Sequence, residues 1–396
     1  MAAIDSSAGA PPKTAFYNDP VIRGYIYQLL VALLVIGFFV WIGINTAQNL
    51  AAQNKSTGFD FLWRTSGFSI SFTLIPFDRT SYYWEAFVVG LLNTLLVAAI
   101  GIFFATILGF TIGIARLSSN WLVSRIATIY VEIIRNVPLL LQLFFWYFAV
   151  LKAMPAVRDS LALPFGSYLN QRGFFVPQPI FDDRAVWLWL GLALAVLFGI
   201  GLRIWARRRL EATGQRFPVF ITAIAGGVLI LALTFIVSGT QIAFSYPELQ
   251  RFNFRGGLEL PPEFVALAFG LTIYTAAFIA ENVRGGIRAV NKGQTEAAQS
   301  LGLKEGDRLR LVIIPQAMRV IVPPLTSQYL NLTKNSSLGA AIGYPELVNV
   351  FTGTTLNQTG KAIEVIAMTM LVYLTFSLLT SAFMNWYNSR VALVER

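Results

Sequence analysis

Gln294-Thr-Glu-Ala-Ala-Gln-Ser-Leu-Gly-Leu-Lys-Glu-Gly-Asp-Arg-Leu-Arg-Leu-Val-Ile-Ile-Pro315 is a polar island of 22 residues set between long apolar stretches. Its local chemistry predicts a short, well-ended helix. Asn291 can cap the start, Gln294 three residues on completes a capping pair, and Gly302 suits the left-handed residue that closes such a helix. A second helix is expected after Gly306, with Asp307 as its cap. The small Ala297 and Ala298 allow another backbone to come close, and Glu296 near a helix start offers an anion to a partner's cation. The island reads as a rigid peg on the wet side of a membrane.

The apolar context follows from composition. The chain is 56% hydrophobic and 13% charged, where soluble domains run nearer a quarter charged. Its 30 Lys+Arg against 20 Asp+Glu give a formal charge of +10. The basic residues fall between apolar runs and form no tail or stripe, so they read as a positive-inside signal and not as a nucleic-acid surface. There is no cysteine and no histidine. Disulfides, thiolate chemistry, zinc sites and a His-based triad are excluded, and no metal site or catalytic residue is expected.

Runs long enough to cross a bilayer, about 20 residues each, occur near 25–47, 83–113, 126–151, 186–206, 217–239, 263–289 and 362–387. The stretch 319–343 is more polar, with Pro323, Pro324 and Lys334, but the charge pattern asks for an even number. The expectation is an all-α polytopic membrane protein of about eight transmembrane helices. With the island inside, segments 1–24, 114–125, 203–216, 281–320 and 388–396 carry 18 Lys/Arg, against 10 on the longer opposite segments 48–82, 151–185, 240–262 and 344–362. Arg203, Arg207, Arg208, Arg209 and Arg216 form the sharpest cluster. Both termini are thus expected in the cytoplasm. The first apolar run is longer than a signal-peptide core and starts late, so it reads as a retained anchor. Segment 151–185, with Pro155, Pro164, Gly166, Gly173, Pro177 and Pro179, reads as an irregular outside loop. No internal repeat is visible.

Ionisable residues inside spans cost about 2.5 to 3.5 kcal/mol each at mid-bilayer and ask for a partner or a task. Glu132 and Arg135 are three apart on one helix face, and Pro138 beyond them cannot bond the Ile134 carbonyl, leaving it free to face a cavity. Glu281 and Arg284 repeat the spacing, and Lys334 stands among Thr333, Asn335, Ser336 and Ser337. Such sets can offer a cation to a carboxylate and an acceptor to an ammonium. They can equally be self-neutralising structural pairs or snorkelling groups. Gly109 with Gly113, and Gly339 with Gly343, are small-xxx-small pairs suited to close helix packing. The string from Gly353 to Gly360-Lys361 has six intervening residues and is followed by Ala362, so it fails the phosphate-cradling pattern and the chain is not expected to hydrolyse ATP.

Glu296-Ala-Ala, Gly302 and Val312-Ile313-Ile314-Pro315, in this register, resemble the EAA loop of the membrane subunits of bacterial ABC importers. Val312 and Ile314 stand where that family usually has Ile and Leu. Tyr130-Val-Glu-Ile-Ile-Arg-Asn-Val-Pro-Leu-Leu-Leu-Gln-Leu143, Tyr274-Thr-Ala-Ala-Phe-Ile-Ala-Glu-Asn-Val-Arg-Gly-Gly-Ile287, Lys334-Asn-Ser-Ser-Leu338 and Ile342-Gly-Tyr-Pro-Glu-Leu347 resemble its polar amino-acid branch. The likeness covers roughly 83–150 and 257–390. An extra N-terminal span and an insertion at about 151–256 resemble the long permeases of general L-amino-acid importers.

The resemblance implies a type I ABC importer permease core in two parts, 83–150 and 257–396, with a coupling loop at 291–316. Segment 1–82 would add a tail, an extra span and an outside segment. Segment 151–256 would be an insertion with an outside loop and two spans. Gln294, Glu296, Ala297, Ala298, Gly302 and Pro315 would couple to an ATPase, and Glu132, Arg135, Glu281, Arg284 and Lys334 would line a substrate path or gate. The implied partners are two ATP-binding subunits, a second permease, related or identical, and a periplasmic amino-acid-binding protein, around a chain seated in the lipid bilayer. ATP and Mg would sit on the ATPase and no cofactor on this chain. An ion-gradient-driven secondary transporter and a membrane scaffold recruiting a soluble partner are the alternatives.

Overall fold

The computed structural model describes residues 20–52, 57–215, 217–251 and 253–391. Lys13, Lys55, Arg216 and Arg396 of the charge reading lie outside them. Among the described residues seven helices are long and apolar enough to cross a membrane, and a bent pair makes an eighth. In chain order the helices are α1 (Pro20–Ala52), α2 (Tyr83–Ala115), α3 (Trp121–Asn136), α4 (Leu139–Phe144), α5 (Val186–Thr213), α6 (Val219–Ser238), α7 (Pro262–Arg288), α8 (Lys292–Ser300), α9 (Glu305–Arg308), α10 (Ile314–Asn335), α11 (Leu356–Thr359) and α12 (Ala362–Val391).

The core forms where α2 and α7 lie side by side. Gly109 and Gly113 face α7 so closely that a methyl group at Gly109 would stand 2.5 Å from the Ile279 side chain, and one at Gly113 would stand 2.8 Å from the Ala280 carbonyl oxygen. This pair is packing within the chain. The pair Gly339 and Gly343 behaves otherwise: Gly339 abuts Leu267, whereas Gly343 has φ +83° and ends the 3-10 turn Ser336–Ile342. Helix α10 joins the α2–α7 pair and passes unbroken through Pro323 and Pro324, so the polar stretch 319–343 is helical for most of its length. Buried Leu267, Leu271, Ile279, Ile321 and Leu332 fill the space between.

The apolar run 126–151 is one span with a bend, and the reading of Ile134 as a free carbonyl is corrected. Helices α3 and α4 meet at 105° across Val137-Pro138. Proline removes a donor and clashes with the preceding turn, which ends α3. The Ile134 carbonyl is not left facing a cavity: the buried Gln142 amide donates to both the Ile134 and the Val137 oxygens, each at 2.9 Å. Hydropathy averages composition over a window and carries no direction, so it could not register this bend. Beyond α4 the chain continues as a π-helical turn, Phe145–Leu151.

Segment 151–185 is also corrected, from irregular loop to sheet. The segment holds strands β1 (Leu161–Leu163), β2 (Ser167–Asn170), β3 (Gly173–Val176) and β4 (Gln178–Phe181), and four more follow α6: β5 (Ile242–Ser245), β6 (Glu248–Gln250), β7 (Asn253–Arg255) and β8 (Leu258–Leu260). They form an antiparallel sheet of order β1-β2-β3-β8 and two ribbons, β4-β5 and β6-β7. The prolines and glycines delimit these strands: Pro164, Phe165 and Gly166 make the β1–β2 turn, and Pro177 separates β3 from β4. Because β3 pairs with β8, directly before α7, the sheet bridges the expected insertion boundary at 256. Helices α5 and α6 leave this layer as a hairpin whose residues bury little except against each other.

The chain after α1 runs over the Tyr83 end of α2 as a strap. Phe61 is buried against Tyr83 and Phe351, Phe72 stacks on Phe264, and Asp60 pairs with the buried Lys361 at 3.6 Å. The Gly58 N–H donates to Glu364 at 2.6 Å, and the Asn93 amide donates to both the Phe72 and the Pro345 carbonyls, at 2.9 and 2.8 Å. Gly360, with φ +66°, ends α11 and turns Lys361 toward Asp60.

Two measurements check these contacts. Gly109→Leu should overpack the α2–α7 contact at a cost of about 1–3 kcal/mol or more, lowering the thermal transition of the detergent-purified protein. Gly201→Leu, where nothing lies within 4 Å, should leave it in place. Gln142→Leu strips the Ile134 and Val137 carbonyls of their donor, at about 1–3 kcal/mol for an unsatisfied group. Amide exchange across 134–142 should quicken, and an unchanged pattern would remove the bend-holding role.

Candidate functional site

The peg begins as its sequence indicates. The Asn291 side-chain oxygen accepts the Gly293 N–H at 2.8 Å and starts α8. Gln294 does not turn back to complete a capping pair; its side-chain oxygen accepts from Gln316 at 3.1 Å and ties the root of the peg to the root of α10. At the other end Gly302 has φ +73°, its N–H donates to Gln299 at 2.8 Å, and Leu303 N–H donates to Ala298 at 3.2 Å. This double closure satisfies the last carbonyls and fixes the exit direction. The expected cap at Asp307 is corrected: α9 starts earlier, after Lys304, without a side-chain cap. Pro315 lies where the π-helical turn Leu309–Ile313 passes into α10, within continuous helical backbone.

The two alanines differ. Ala298 is 3% exposed, so it packs within the chain, whereas Ala297 and Glu296 face outward. Beside them Leu301 is 81% exposed at the tip. A leucine closing a polar helix was the available signal for it, and spacing arguments centred on Gly302 passed over it. The peg therefore presents one carboxylate, one methyl and one isobutyl group on a short helix fixed at both ends.

Eleven residues before the start of α8, Glu281 on α7 gathers three guanidiniums. Arg116 and Arg284 pair with its two oxygens, and Arg135 reaches it at 3.7 Å while lying over the Phe278 ring. The Glu281–Arg284 pair read from spacing is present. The Glu132–Arg135 pair is not: Arg135 crosses to α7, and Glu132 is exposed with no ion pair among the described residues. Arg116, only 9% exposed at the end of α2, was counted as a topological charge and missed as a partner. One carboxylate thus ties α2, α3 and α7 together at the end from which the peg emerges.

Lys334 stands apart, about 29 Å along α10 from Pro315 at the helical rise. It lines a cavity of about 480 Å³ with Ser337, Val348, Thr352, Thr369 and Tyr373 among its walls. The hydroxyls are engaged within the protein: Ser337 donates to the Lys334 carbonyl at 2.8 Å, Thr352 and Thr369 bond each other at 3.1 Å, and Tyr373 reaches Glu346 at 3.4 Å. Glu346 itself is fully buried and accepts the Val348 and Asn349 N–H groups, each at 2.8 Å, so it caps the π-helical segment Val348–Thr355 that forms one wall. The wall is largely carbon, with one ammonium that has no ion pair among the described residues. The sequence-derived polar set therefore splits into two places, an arginine cluster near the peg and a lysine cavity far from it.

Residues 218–393 match the family described as "Binding-protein-dependent transport system inner membrane component". Three curated relatives extend the likeness over nearly the whole chain. The General L-amino acid transport system permease protein AapQ of Rhizobium johnstonii is 52% identical over 97% of this chain and 96% of its own length. The Putative amino-acid ABC transporter permease protein YhdX of Escherichia coli is 49% identical over 96% of this chain and 97% of its own. The Glutamate/glutamine/aspartate/asparagine transport system permease protein BztB of Rhodobacter capsulatus is 40% identical over 98% of this chain and 99% of its own. With that coverage at both ends of each alignment, the chain belongs to the ABC-importer permeases of the binding-protein-dependent transport family, membrane subunits that work with a separate ATPase and a substrate-binding protein.

Proposed function

We propose that this chain carries polar L-amino acids across the bacterial inner membrane as one half of a permease dimer, identical or related, above two ATP-binding subunits and below a periplasmic amino-acid-binding protein. ATP and Mg are held by the ATPase subunits. The peg end and both termini lie in the cytoplasm, and the sheet layer lies on the periplasmic side. The substrate class is that in the names of the full-length relatives.

The observation that carries this reading is the construction of α8. A helix capped by Asn291, closed at Gly302 and tied to α10 through Gln294 and Gln316 moves as one body with the helices at its roots. Leu301, Ala297 and Glu296 give an ATPase cleft an apolar knob and an anion to hold. When nucleotide binding draws two such clefts together, the push passes to α7 and α10. The shared Glu281 carboxylate passes it on to α2 and α3, a rigid-body coupling of two-state elements. At the far end of α10, Lys334 supplies the cation that a substrate α-carboxylate needs in a largely apolar cavity.

The tests use the reconstituted complex in vesicles. Leu301→Asp and Glu296→Lys should leave insertion and thermal stability unchanged while lowering substrate-stimulated ATP hydrolysis at least about tenfold, the effect of losing about 1.4 kcal/mol or more of coupling. Full stimulation in both variants would overturn the peg's role. Lys334→Gln should keep the complex assembled and lower uptake by about 10- to 100-fold, matching about 1.5–3 kcal/mol for a hydrogen bond to a charged group. Undiminished uptake would take Lys334 off the path.

A further inference from the structure

The α5–α6 hairpin stands away from the bundle, so lipid sets its depth. On α5 the exposed Trp187 and Trp205 are 18 residues apart, about 27 Å at the helical rise, close to the hydrocarbon thickness of about 30 Å that interfacial tryptophans bracket. Residues just past Trp205 then sit at the level of the lipid phosphates. Arg207, Arg208 and Arg209 are there, with Arg203 one turn earlier, and from Arg203 to Gln215 the sole acid is Glu211.

We infer that this end of the hairpin is a binding site for the phosphodiester headgroup of an anionic phospholipid. At 100° per residue Arg203 and Arg207 share a face while Arg208 and Arg209 point to two others, so the guanidiniums collar the helix. Arg209 is held in place: its guanidinium lies over Trp205 and Phe217, at 5.4 and 5.9 Å from the ring centres, and donates to the Gln215 side chain at 3.1 Å. Arg207 pairs with Glu211 at 3.1 Å, while Arg203 and Arg208 have no ion pair among the described residues. A planar fork of donors fits phosphate oxygens in a bidentate way. Directly toward the hydrocarbon lie exposed Ile200 and Ile204 on α5 and Phe220 and Ile221 on α6. That apolar surface, continuous with the collar, fits acyl chains and would go unused by a free phosphate ion, so the occupant is a lipid.

The test is native mass spectrometry of the full-length detergent-purified chain with phosphatidylglycerol, with phosphatidylcholine of the same acyl chains, and with millimolar inorganic phosphate. Phosphatidylglycerol should occupy the protein at least about fivefold more than phosphatidylcholine and resist displacement by phosphate. The combined variant Arg203→Gln, Arg208→Gln, Arg209→Gln should fall to the phosphatidylcholine level, and the corresponding lysine variant should keep most of the preference. Equal retention of the two lipids by the unaltered protein, or an unchanged preference in the glutamine variant, would overturn the site. Displacement by inorganic phosphate would reduce it to a free-anion site. Should the glutamine variant not insert, the comparison on the unaltered protein decides alone.

Discussion

The α2–α7 contact, made possible by hydrogen atoms where Gly109 and Gly113 would otherwise carry side chains, is the interaction on which the rest of the molecule hangs. Within a bilayer, apolar surface gains little by meeting other apolar surface, so helices associate where they fit closely enough for dispersion to favour protein over lipid. Once α2 and α7 are in register, their two ends become fixed reference points. At one end Arg116 is delivered to Glu281 and the carboxylate gathers Arg135 and Arg284. At the other, Asn93 is delivered to the Pro345 carbonyl and the turn holding Glu346 closes.

Polar satisfaction governs the departures from straight helices. Pro138 breaks the third apolar run, and the freed carbonyls are answered locally by Gln142, which permits a right-angle turn inside a hydrophobic environment. The π-helical segment 348–355 carries its own anchor in Glu346. In both places one buried side chain replaces what the backbone ladder lost.

Much of the architecture could be read from residues alone, because span length, capping chemistry and the left-handed glycine are local properties. Asn291 and Gly302 announced α8, and the apolar runs announced the membrane helices. Partners across space were not legible. Gln294 had a plausible local role in a capping pair with Asn291, and only the fold brings Gln316 to it. Arg135 had a plausible local mate in Glu132, yet α3 presents it to α7. The strands of segment 151–185 are three or four residues long, and two of them, β3 and β4, find mates more than 60 residues downstream, so composition showed their punctuation and not their pairing. The candidate site was legible as residue types, and its division into an arginine cluster and a lysine cavity was not.

The strap over the Tyr83 end of α2 makes the N-terminal region part of the body it covers. An appended anchor joined by slack chain could be lost in evolution without disturbing the body it is attached to. Here residues 58–72 supply a donor to Glu364, a ring beneath Phe351 and an acceptor to Asn93, each inside the body itself. Residues 58–72 therefore cannot be detached without leaving the Glu364 carboxylate and the Asn93 amide each short of a partner, so this joint has two faces that depend on each other.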